Sequence, residues 1–299
     1  MFLFSIIIPT WKKSHTLIKT LEAIRKQKMF LNKTEIIICG ETKKLNLKYI
    51  KNLKKNINTK FINIKENSIS KKRNLGIKFA SGKKLIFLDD DSIIDDNYLI
   101  NCKKNYNSKF ILYCGKINYD DNNLNNYQRF KCSVHKKYNL KKYLEAKNIV
   151  TMNMIASREF ITKNNLYFNE FFKGYGLEDF EFGYRVIQKG FKIKSINANI
   201  IHNEDNKTFK DFLYKIFILG KNAMPILINQ NYDAAKSINF FKVENNYIIK
   251  SLIKFKLIIS LLELIIKLII FVENKLYIKN LYFLGIYISY LKGAFYRNK

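Results

Sequence analysis

Four short apolar runs, separated by stretches with helical spacing, limit what the first part of the chain can fold into. The runs lie at residues 3–8, 36–39, 61–64 and 85–88, and the third is interrupted by Asn63. Lysine-rich stretches between and after them repeat apolar residues at helical spacing, as Leu17, Leu21 and Ile24 do. Unbroken apolar runs are typical of strands buried on both faces, and right-handed helical crossovers join such strands in parallel. The pattern predicts an α/β fold with a mostly parallel sheet, whose first strand ends at Pro9. Residues 118–147, rich in Asn, Tyr and Lys, lack this pattern and are expected to form an irregular surface excursion.

Three carboxylates, Asp89, Asp90 and Asp91, directly follow the fourth apolar run. Open α/β sheets bind their ligands at the carboxyl ends of the strands. Grouped carboxylate oxygens suit a hard divalent cation, and a phosphate or diphosphate is the anion that would complete the shell of such a cation. The alternative is an acidic turn that stabilises the following helix through its dipole. These residues alone leave both interpretations open.

The net charge of +30 comes almost entirely from lysine. A charge of this size is compatible with nucleic-acid binding, because phosphate contacts dominate such affinities. The lysines are spread along the whole chain among abundant Asn and Ile, however, which indicates a compositional bias rather than a dedicated patch. We therefore expect no nucleic-acid partner, and attraction to an anionic membrane surface instead.

Cysteine usage and the first residues predict a cytoplasmic protein. The four cysteines show neither paired spacing nor paired histidines, which favours reduced thiols over a zinc site or a disulfide framework. The apolar stretch at residues 2–8 is too short for a signal peptide.

Residues 257–272 form a nearly continuous apolar stretch. The polar residues at 256, 260, 263 and 267 would share one narrow stripe of a helix there. Such a helix either lies in a bilayer interface or packs on its own domain, and its two internal charges argue against a spanning helix. Residues 276–295, rich in Tyr and Phe, would suit the headgroup level. We expect a globular domain at residues 1–240, and at 241–299 an amphipathic helical region on the inner face of the cell membrane.

Five sequence elements, in this order, resemble those of the family-2 glycosyltransferases of the GT-A fold, over roughly residues 4–220. They are Ser-Ile-Ile-Ile-Pro-Thr at 5–10, Ser-Lys-Lys-Arg-Asn-Leu-Gly at 70–76, the aspartates at 89–91, Phe-Asn-Glu at 168–170 with Gly-Tyr-Gly-Leu-Glu-Asp at 174–179, and His202. The fourth resembles the Phe-Asp-Glu and Gly-Trp-Gly-Gly-Glu-Asp elements of a branch that includes galactosyltransferases and the bacterial chondroitin polymerase. A lone Asp-x-Asp is a weak signal, but five elements in order are specific. The resemblance implies a Rossmann-like GT-A catalytic domain.

The resemblance also implies a donor site and a metal site. Asp89, Asp91 and His202 would hold Mn²⁺ or Mg²⁺ on the diphosphate of a sugar nucleotide. Without the motif order, His202 would be read as a structural histidine. The residues that would contact the donor are Pro9, Thr10, Glu41, Arg73, Asn74, Asp89 and Asp90.

The same resemblance assigns the general base to Asp179, with Glu178 helping to hold an acceptor beside Tyr175 and Gly176. The acceptor hydroxyl must lose a proton as its oxygen attacks the anomeric carbon, and a carboxylate within hydrogen-bond reach can take that proton. One displacement inverts the anomeric centre. Read without the preceding Gly-Tyr-Gly, the two acids would only stabilise the first turn of a helix.

The sequence departs from the family pattern at several positions. The second strand ends Cys39-Gly40-Glu41, where the family commonly has two aspartates, and Glu41 is the candidate substitute in base recognition. Since the chain's only tryptophan is Trp11, the Gln-x-x-Arg-Trp element of membrane-embedded processive synthases is absent, and transfer of single sugars is expected. Tyr175, Leu177 and Asn169 stand where the family has Trp, Gly and Asp.

We therefore expect an inverting, metal-dependent hexosyl- or N-acetylhexosaminyltransferase. It would move a sugar from a nucleoside-diphosphate donor, with UDP as the expected nucleotide, to a glycan or lipid-linked acceptor in cell-surface polysaccharide biosynthesis. The alternative is a non-catalytic member of the same fold that binds a glycan or nucleotide. The intact Asp89, Asp91 and Asp179 argue against that alternative.

Overall fold

The computed structural model of the protein describes residues 1–11, 14–41, 58–104, 111–120, 124–139, 142–203, 207–252 and 255–297. The lysine-rich stretch at 42–57, for which helix was predicted, lies outside them. The chain divides into two units. The first comprises Met1–Asp120, Val134–Lys173 and Phe182–Glu204, and the second comprises Asp121–Ser133, Gly174–Glu181 and Asp205–Lys299.

The first unit is built on an eight-stranded sheet with the order β3-β2-β1-β4-β7-β6-β8-β5. The strands are β1 Phe4–Thr10, β2 Thr34–Gly40, β3 Asn58–Asn63, β4 Lys84–Leu88, β5 Ser92–Ile94, β6 Ile111–Asn118, β7 Asn153–Ser157 and β8 Lys192–His202. The helices of the chain are α1 Ser14–Arg25, α2 Ile69–Phe79, α3 Tyr98–Lys104, α4 Asn126–Asn139, α5 Arg158–Lys163, α6 Glu178–Gln188, α7 Phe209–Ile218, α8 Met224–Gln230, α9 Tyr232–Lys236, α10 Asn239–Glu244, α11 Tyr247–Leu252, α12 Lys256–Glu273 and α13 Lys279–Arg297. A π-helical turn, Leu219–Ala223, joins α7 to α8.

The sheet is mixed rather than mostly parallel. Strands β1, β2, β3 and β4 pair in parallel, as predicted, and the inner residues of β4 are fully buried. Strand β7 runs antiparallel to both β4 and β6, and β5 runs antiparallel to β8. The expectation of a mostly parallel sheet came from the strand–helix alternation of the first four strands. Helices also separate β5, β6, β7 and β8, so alternation alone does not determine whether neighbouring strands pair in parallel.

Strand β1 continues through Pro9 to Thr10, so the expectation that Pro9 ends the strand is wrong. Proline cannot donate a ladder hydrogen bond, which confines it to strand positions with an open side. Strand β4 pairs with β1 only from Phe4 to Ile7, while β2 pairs with β1 along its whole length. Pro9 therefore sits where one side of β1 carries no partner strand.

Helix α4 lies in a region that was expected to be an irregular surface excursion. The helix is strongly polar, and Tyr127 and Phe130 are its deeply buried apolar side chains. Two buried residues three apart are too few to reveal helical periodicity in a sequence rich in Asn, Tyr and Lys. The prediction of an irregular segment is wrong for this reason.

An aromatic cluster and a close helix contact organise the second unit. The ring of Tyr282 stacks on Phe130 at 4.6 Å between centroids and lies 4.7 Å from the ring of Phe209. Helix α13 crosses α7 so closely that a Cβ on Gly293 would stand 2.2 Å from the carbonyl oxygen of Phe217. The aromatic residues of α13 that were expected at headgroup level thus include core residues of this unit.

Helices on both sides of the predicted boundary at residue 240 pack on each other. Phe240 stacks on Tyr290 at 4.4 Å, and Arg297 Nε donates to the carbonyl oxygen of Gly220 at 3.2 Å. That boundary stays a prediction. Within the described residues, no helix combines the length and apolarity needed to cross a membrane.

Candidate functional site

Antiparallel pairing of β5 with the end of β8 brings Asp91 and His202 together. The register places Ser92 opposite His202, and the backbone N–H of Asn203 donates to the carbonyl oxygen of Asp91 at 2.9 Å. As a result His202 Nε2 lies 3.4 Å from Asp91 Oδ1, and both side chains are about nine-tenths buried. The two predicted ligands, far apart in sequence, therefore form one pair at the carboxyl edge of the sheet.

Tyr119 supports this pair and was missed by the sequence analysis. Its hydroxyl lies 3.4 Å from His202 Nδ1, and its ring is 5.6 Å from the His202 ring and 5.7 Å from that of His135. With Nδ1 directed to the hydroxyl, Nε2 is the nitrogen that faces Asp91. Because β6 runs parallel to β8 and pairs Asn118 with Ile201, the residues that follow these two positions meet. Tyr119 could have been found from the sequence if strand β6 had been predicted.

Asp90 connects the ends of β4 and β1. The hydroxyl of Thr10 donates to Asp90 Oδ2 at 2.7 Å, and the hydroxyl of Thr20 donates to the Asp90 carbonyl oxygen at 3.2 Å. Burial and the neighbouring carboxylates of Asp91 and Asp89 raise the pKa of Asp90 to about 6, against the lowering effect of the Thr10 hydrogen bond. The Asp90 side chain thus connects the ends of β4 and β1, which the resemblance places next to the sugar-nucleotide donor.

Arg73 reaches the carboxylate cluster from α2, whose N-terminus is capped by the Ser68 side chain. The guanidinium is almost completely buried, and its Nη2 lies 3.2 Å from Asp89 Oδ1. Its centre is also 5.2 Å from the ring of Phe168. A buried cation is therefore held beside the first aspartate of the cluster.

Asn74 fastens the Phe-Asn-Glu element to α2. Its Nδ2 donates to the carbonyl oxygen of Phe168 at 2.8 Å and to Glu170 Oε1 at 2.9 Å, and its Oδ1 accepts from the Phe168 N–H at 2.8 Å. Both the nitrogen and the oxygen of the Asn74 side-chain amide are therefore hydrogen-bonded. The role of Asn74 as a donor contact stays a prediction.

Lys72 is a second residue that the sequence analysis missed. It is almost completely buried, with Nζ 4.6 Å from the centre of the Trp11 ring and 3.0 Å from Asn67 Oδ1. Burial lowers the pKa of Lys72 to about 8, although Asp90, Cys39 and Glu41 oppose that shift. Its position inside the Ser-Lys-Lys-Arg-Asn-Leu-Gly segment was the available signal, which the abundance of lysine obscured.

The ends of β1 and β2 explain one departure from the family pattern. A Cβ on Gly40 would stand 2.2 Å from the carbonyl oxygen of Thr10, so an aspartate at position 40 would force these strand ends apart. Pro9 is buried within β1, and Glu41 follows β2 directly and is half-buried. Glu41 is thus the acidic side chain that this strand end offers.

The predicted acceptor residues lie on a turn and the first turn of α6, in the second unit. Gly176 and Leu177 both have left-handed backbones, with φ of 99° and 68°. The Tyr175 side chain is exposed, and the centre of its ring lies 5.1 Å from the Lys215 ammonium. Glu178 is buried and Asp179 half-buried at the N-terminal end of α6, where the helix dipole favours negative charge.

The side-chain atoms of the Asp91–His202 pair are suitable ligands for a divalent ion. One carboxylate oxygen and one imidazole nitrogen are ligands that Mn²⁺ accepts, and oxygen ligands suit Mg²⁺. Across the described part of the chain, no three His, Cys, Asp or Glu residues converge on one possible metal position. Diphosphate oxygens would then have to supply much of the shell. Asp89, which Arg73 contacts, stays a predicted ligand.

Solved glycosyltransferases share this fold. The mannosyltransferase PcManGT from Pyrobaculum calidifontis, in complex with GDP-Man and Mn²⁺, has a TM-score of 0.65 at 10% identity, over 98% of this chain and 85% of that one. Residues 1–349 of S. aureus TarS, in complex with UDP-GlcNAc, have a TM-score of 0.54 at 15% identity, over 98% and 90%. The longer TarS chain matches with a TM-score of 0.55 at 16% identity, over 82% of this chain, and this chain covers 42% of it.

Models of two protein families match segments of the amino-acid sequence. No curated protein sequence matches the chain. The model of the N-terminal domain of galactosyltransferase matches residues 130–208, the segment that contains the Gly-Tyr-Gly-Leu-Glu-Asp element. The model of glycosyl transferase family 2 matches residues 5–166, more than half of the chain. The chain therefore belongs to glycosyl transferase family 2.

Proposed function

We propose that this protein is an inverting, metal-dependent glycosyltransferase that uses a nucleoside-diphosphate sugar. The observation that carries the proposal is the buried Asp91–His202 pair at the carboxyl end of the sheet, with the Arg73–Asp89 pair at the same strand end. The site combines acidic groups that suit a divalent ion with a buried cation that suits a phosphate.

The donor half of the mechanism concerns charge on the leaving group. When bound, the divalent ion supplies electrostatic stabilisation of the negative charge that develops on the nucleoside diphosphate. Asp91 and His202 would hold that ion, and Tyr119 would keep the His202 ring in the required orientation. Arg73 adds a fixed positive charge that is itself buried, and a buried charge acts more strongly than one exposed to water.

The acceptor half concerns one proton and two bonds. The acceptor oxygen forms a bond to the anomeric carbon while the bond from that carbon to the diphosphate oxygen breaks, and its electron pair leaves with the diphosphate. Asp179 takes the proton of the acceptor hydroxyl, and Glu178 and Tyr175 orient the acceptor. An α-linked donor would give a β-linked product.

The solved relatives support a sugar nucleotide as donor. The TarS structure holds UDP-GlcNAc, and the mannosyltransferase structure holds GDP-Man and Mn²⁺. We propose a UDP-sugar for this chain, with Mn²⁺ or Mg²⁺. We also propose a glycan or lipid-linked acceptor in the synthesis of a bacterial surface polysaccharide, at the inner face of the cell membrane. Family analogy carries that last step.

The test is release of nucleoside diphosphate from a panel of UDP- and GDP-sugars, with and without Mn²⁺. We expect Mn²⁺-dependent release from one donor. Asp91→Asn should weaken Mn²⁺-dependent donor binding by at least about 10-fold. Asp179→Asn should retain donor binding and lower turnover by about 100-fold or more. Glu159→Gln, in an exposed pair with Lys163, is the matched control.

Two results would contradict the proposal. If no sugar nucleotide binds in a direct binding assay, the site is not a donor site. If donors bind and Asp179→Asn turns over like wild type, Asp179 is not the base, and the non-catalytic alternative gains support.

A further inference from the structure

Helix α12 exposes a row of large apolar side chains that the fold leaves uncovered. The row, here called the leucine face, follows the spacing four, three, four, three, and its members are 52–81% exposed. The opposite side of α12 packs inward through Ile259 and Ile269, which are buried. The leucine face consists of Leu257, Leu261, Leu264, Leu268 and Phe271.

Exposed apolar side chains also lie on either side of α12 in the sequence. Large contiguous patches of this kind mark sites of protein or membrane interaction. A single leucine row on its own could also form a narrow seam with another helix. The additional exposed side chains are Tyr247, Ile248, Phe255, Leu276, Phe283 and Leu284.

The charges around the leucine face are positive. Residues 241–299 contain ten Lys and Arg but three Glu. Each Glu is bonded within the second unit: Glu263 to Lys292 at 2.7 Å, Glu273 to the Tyr282 hydroxyl at 3.0 Å, and Glu244 to Arg297. The acids are thus already engaged by internal partners.

Exposed lysines flank the apolar row. Lys267 and Lys275 are exposed, and Lys275 Nζ lies 4.5 Å from the centre of the Phe271 ring at the end of the row. Long lysine side chains can lay their methylene stems on apolar surface while the ammonium stays at the polar boundary. The arrangement suits a surface that is apolar in the middle and anionic around it.

We propose that the leucine face docks on an anionic lipid bilayer, with α12 lying in the interface and with Lys267 and Lys275 at the phosphate level. A second copy of the chain is the competing occupant, because a row with this spacing can also form a helix–helix seam. Two copies would bring the same excess of positive charge to the contact, whereas anionic lipid neutralises it. The inference depends on the proposed function in one respect only: a lipid-linked acceptor would lie in the same bilayer that the leucine face contacts.

The test measures binding of the full chain to vesicles of phosphatidylcholine, with and without phosphatidylglycerol, by co-sedimentation. We expect binding to the anionic vesicles. Leu261→Gln, Leu264→Gln and Leu268→Gln together should lower the partition coefficient by about 100-fold or more. Lys267→Gln with Lys275→Gln should lower it by about 10-fold on anionic vesicles only.

Matched controls separate this surface from folding and from catalysis. Met29→Gln with Tyr214→Gln removes exposed apolar side chains elsewhere and should leave vesicle binding unchanged. The leucine variant should keep the thermal unfolding midpoint and the Mn²⁺-dependent donor binding of wild type. Vesicle binding by a chain that fails to bind any donor would support the docking surface and contradict only the proposed function.

Three outcomes would overturn the proposal. One is the absence of wild-type binding to anionic vesicles. Another is unchanged binding of the folded leucine variant, which would show that charge alone attracts the chain. The third is a wild-type dimer that the leucine variant converts to monomer, with no vesicle binding by either, which would identify a second copy as the occupant.

Discussion

At the scale of single residues, Glu35 is a buried carboxylate that organises the amino ends of β1 and β4. Its Oε1 accepts from the Ser5 hydroxyl at 2.6 Å and from the Ser81 N–H at 2.6 Å, and its Oε2 lies 2.8 Å from Lys60 Nζ. Burial alone would raise the pKa of Glu35, but these hydrogen bonds outweigh burial and lower it from 4.5 to about 2. The ionised form is therefore stabilised by folding.

We expect Glu35→Gln to lower the free energy of unfolding by about 2 kcal/mol at neutral pH, after allowance for solvent screening of the partly exposed Lys60. Because the folded pKa is depressed, the contribution of Glu35 is complete above pH 4.5 and is lost as pH falls towards 2. Urea unfolding of both proteins at pH 7 and pH 3.5 should show a smaller difference at the lower pH. Glu159→Gln is the surface control, and a difference independent of pH would contradict the assignment.

Leu177 holds a left-handed backbone at a position where the motif resemblance leads us to expect glycine. A side chain with a Cβ is strained at its φ of 68°, and glycine is not. We expect Leu177→Gly to be more stable to thermal unfolding than Leu177→Ala by about 1 kcal/mol. Both variants remove the side chain beyond the Cβ, and only alanine keeps the Cβ that is strained at this φ. Equal stability of the two variants would show that this turn carries no strain.

At the scale of elements, helix α2 depends on a glycine for its distance from β1. A Cβ on Gly76 would stand 2.2 Å from Ile7 Cγ2, so the glycine of the Arg-Asn-x-Gly element has a packing role. Gly76→Ala should destabilise the protein by about 1–3 kcal/mol and weaken donor binding, since α2 carries Arg73. Urea unfolding and donor titration measure the two effects.

The double variant Ile7→Ala, Gly76→Ala provides the control. If the clash is the cause, removal of Ile7 Cγ2 makes the two costs less than additive in a double-mutant cycle. Strict additivity would show that Gly76→Ala acts by some route other than its contact with Ile7.

The elements of the fold were predictable where local pattern determines them. The runs of β1, β2 and β4 are apolar because both faces of these strands are buried, whereas β3, at the edge of the sheet, is only partly buried and its run is interrupted by Asn63. The parallel pairing of all four strands followed from their expected alternation with helices. The antiparallel position of β7 between β4 and β6 is determined by tertiary packing, and no local pattern in the sequence encodes it.

The same distinction applies to the candidate site. Motif order pointed to Asp91 and His202, and the structure brings them together. Tyr119 and Lys72 owe their positions to strand register and to burial, which sequence spacing does not report. Gly40 shows the converse case, where a departure from a motif has a steric reason that only the approach of β1 to β2 reveals.

At the scale of the whole molecule, the second unit joins residues that are distant in the chain. Phe130 on α4 and Phe209 on α7 bury their rings against Tyr282 on α13, and Arg297 near the C-terminus pairs with Glu244. The outward side of α12 is apolar and its inward side is core. One C-terminal region therefore serves folding and presents the leucine face, and the two roles lie on opposite sides of the same helix.

Deletion of residues 251–299 should consequently disrupt the second unit and not merely release the chain from a membrane. Without α13, the rings of Phe130 and Phe209 would lose Tyr282, and burial of large aromatics contributes about 3–5 kcal/mol each by truncation. We expect the deleted protein to be cleaved rapidly by trypsin within residues 207–250, under conditions in which the full chain and the leucine variant resist cleavage. Protection equal to that of the full chain would show that α7 to α10 fold without α13. In that case the deletion itself, and not only substitution on the leucine face, would become a valid probe of membrane docking.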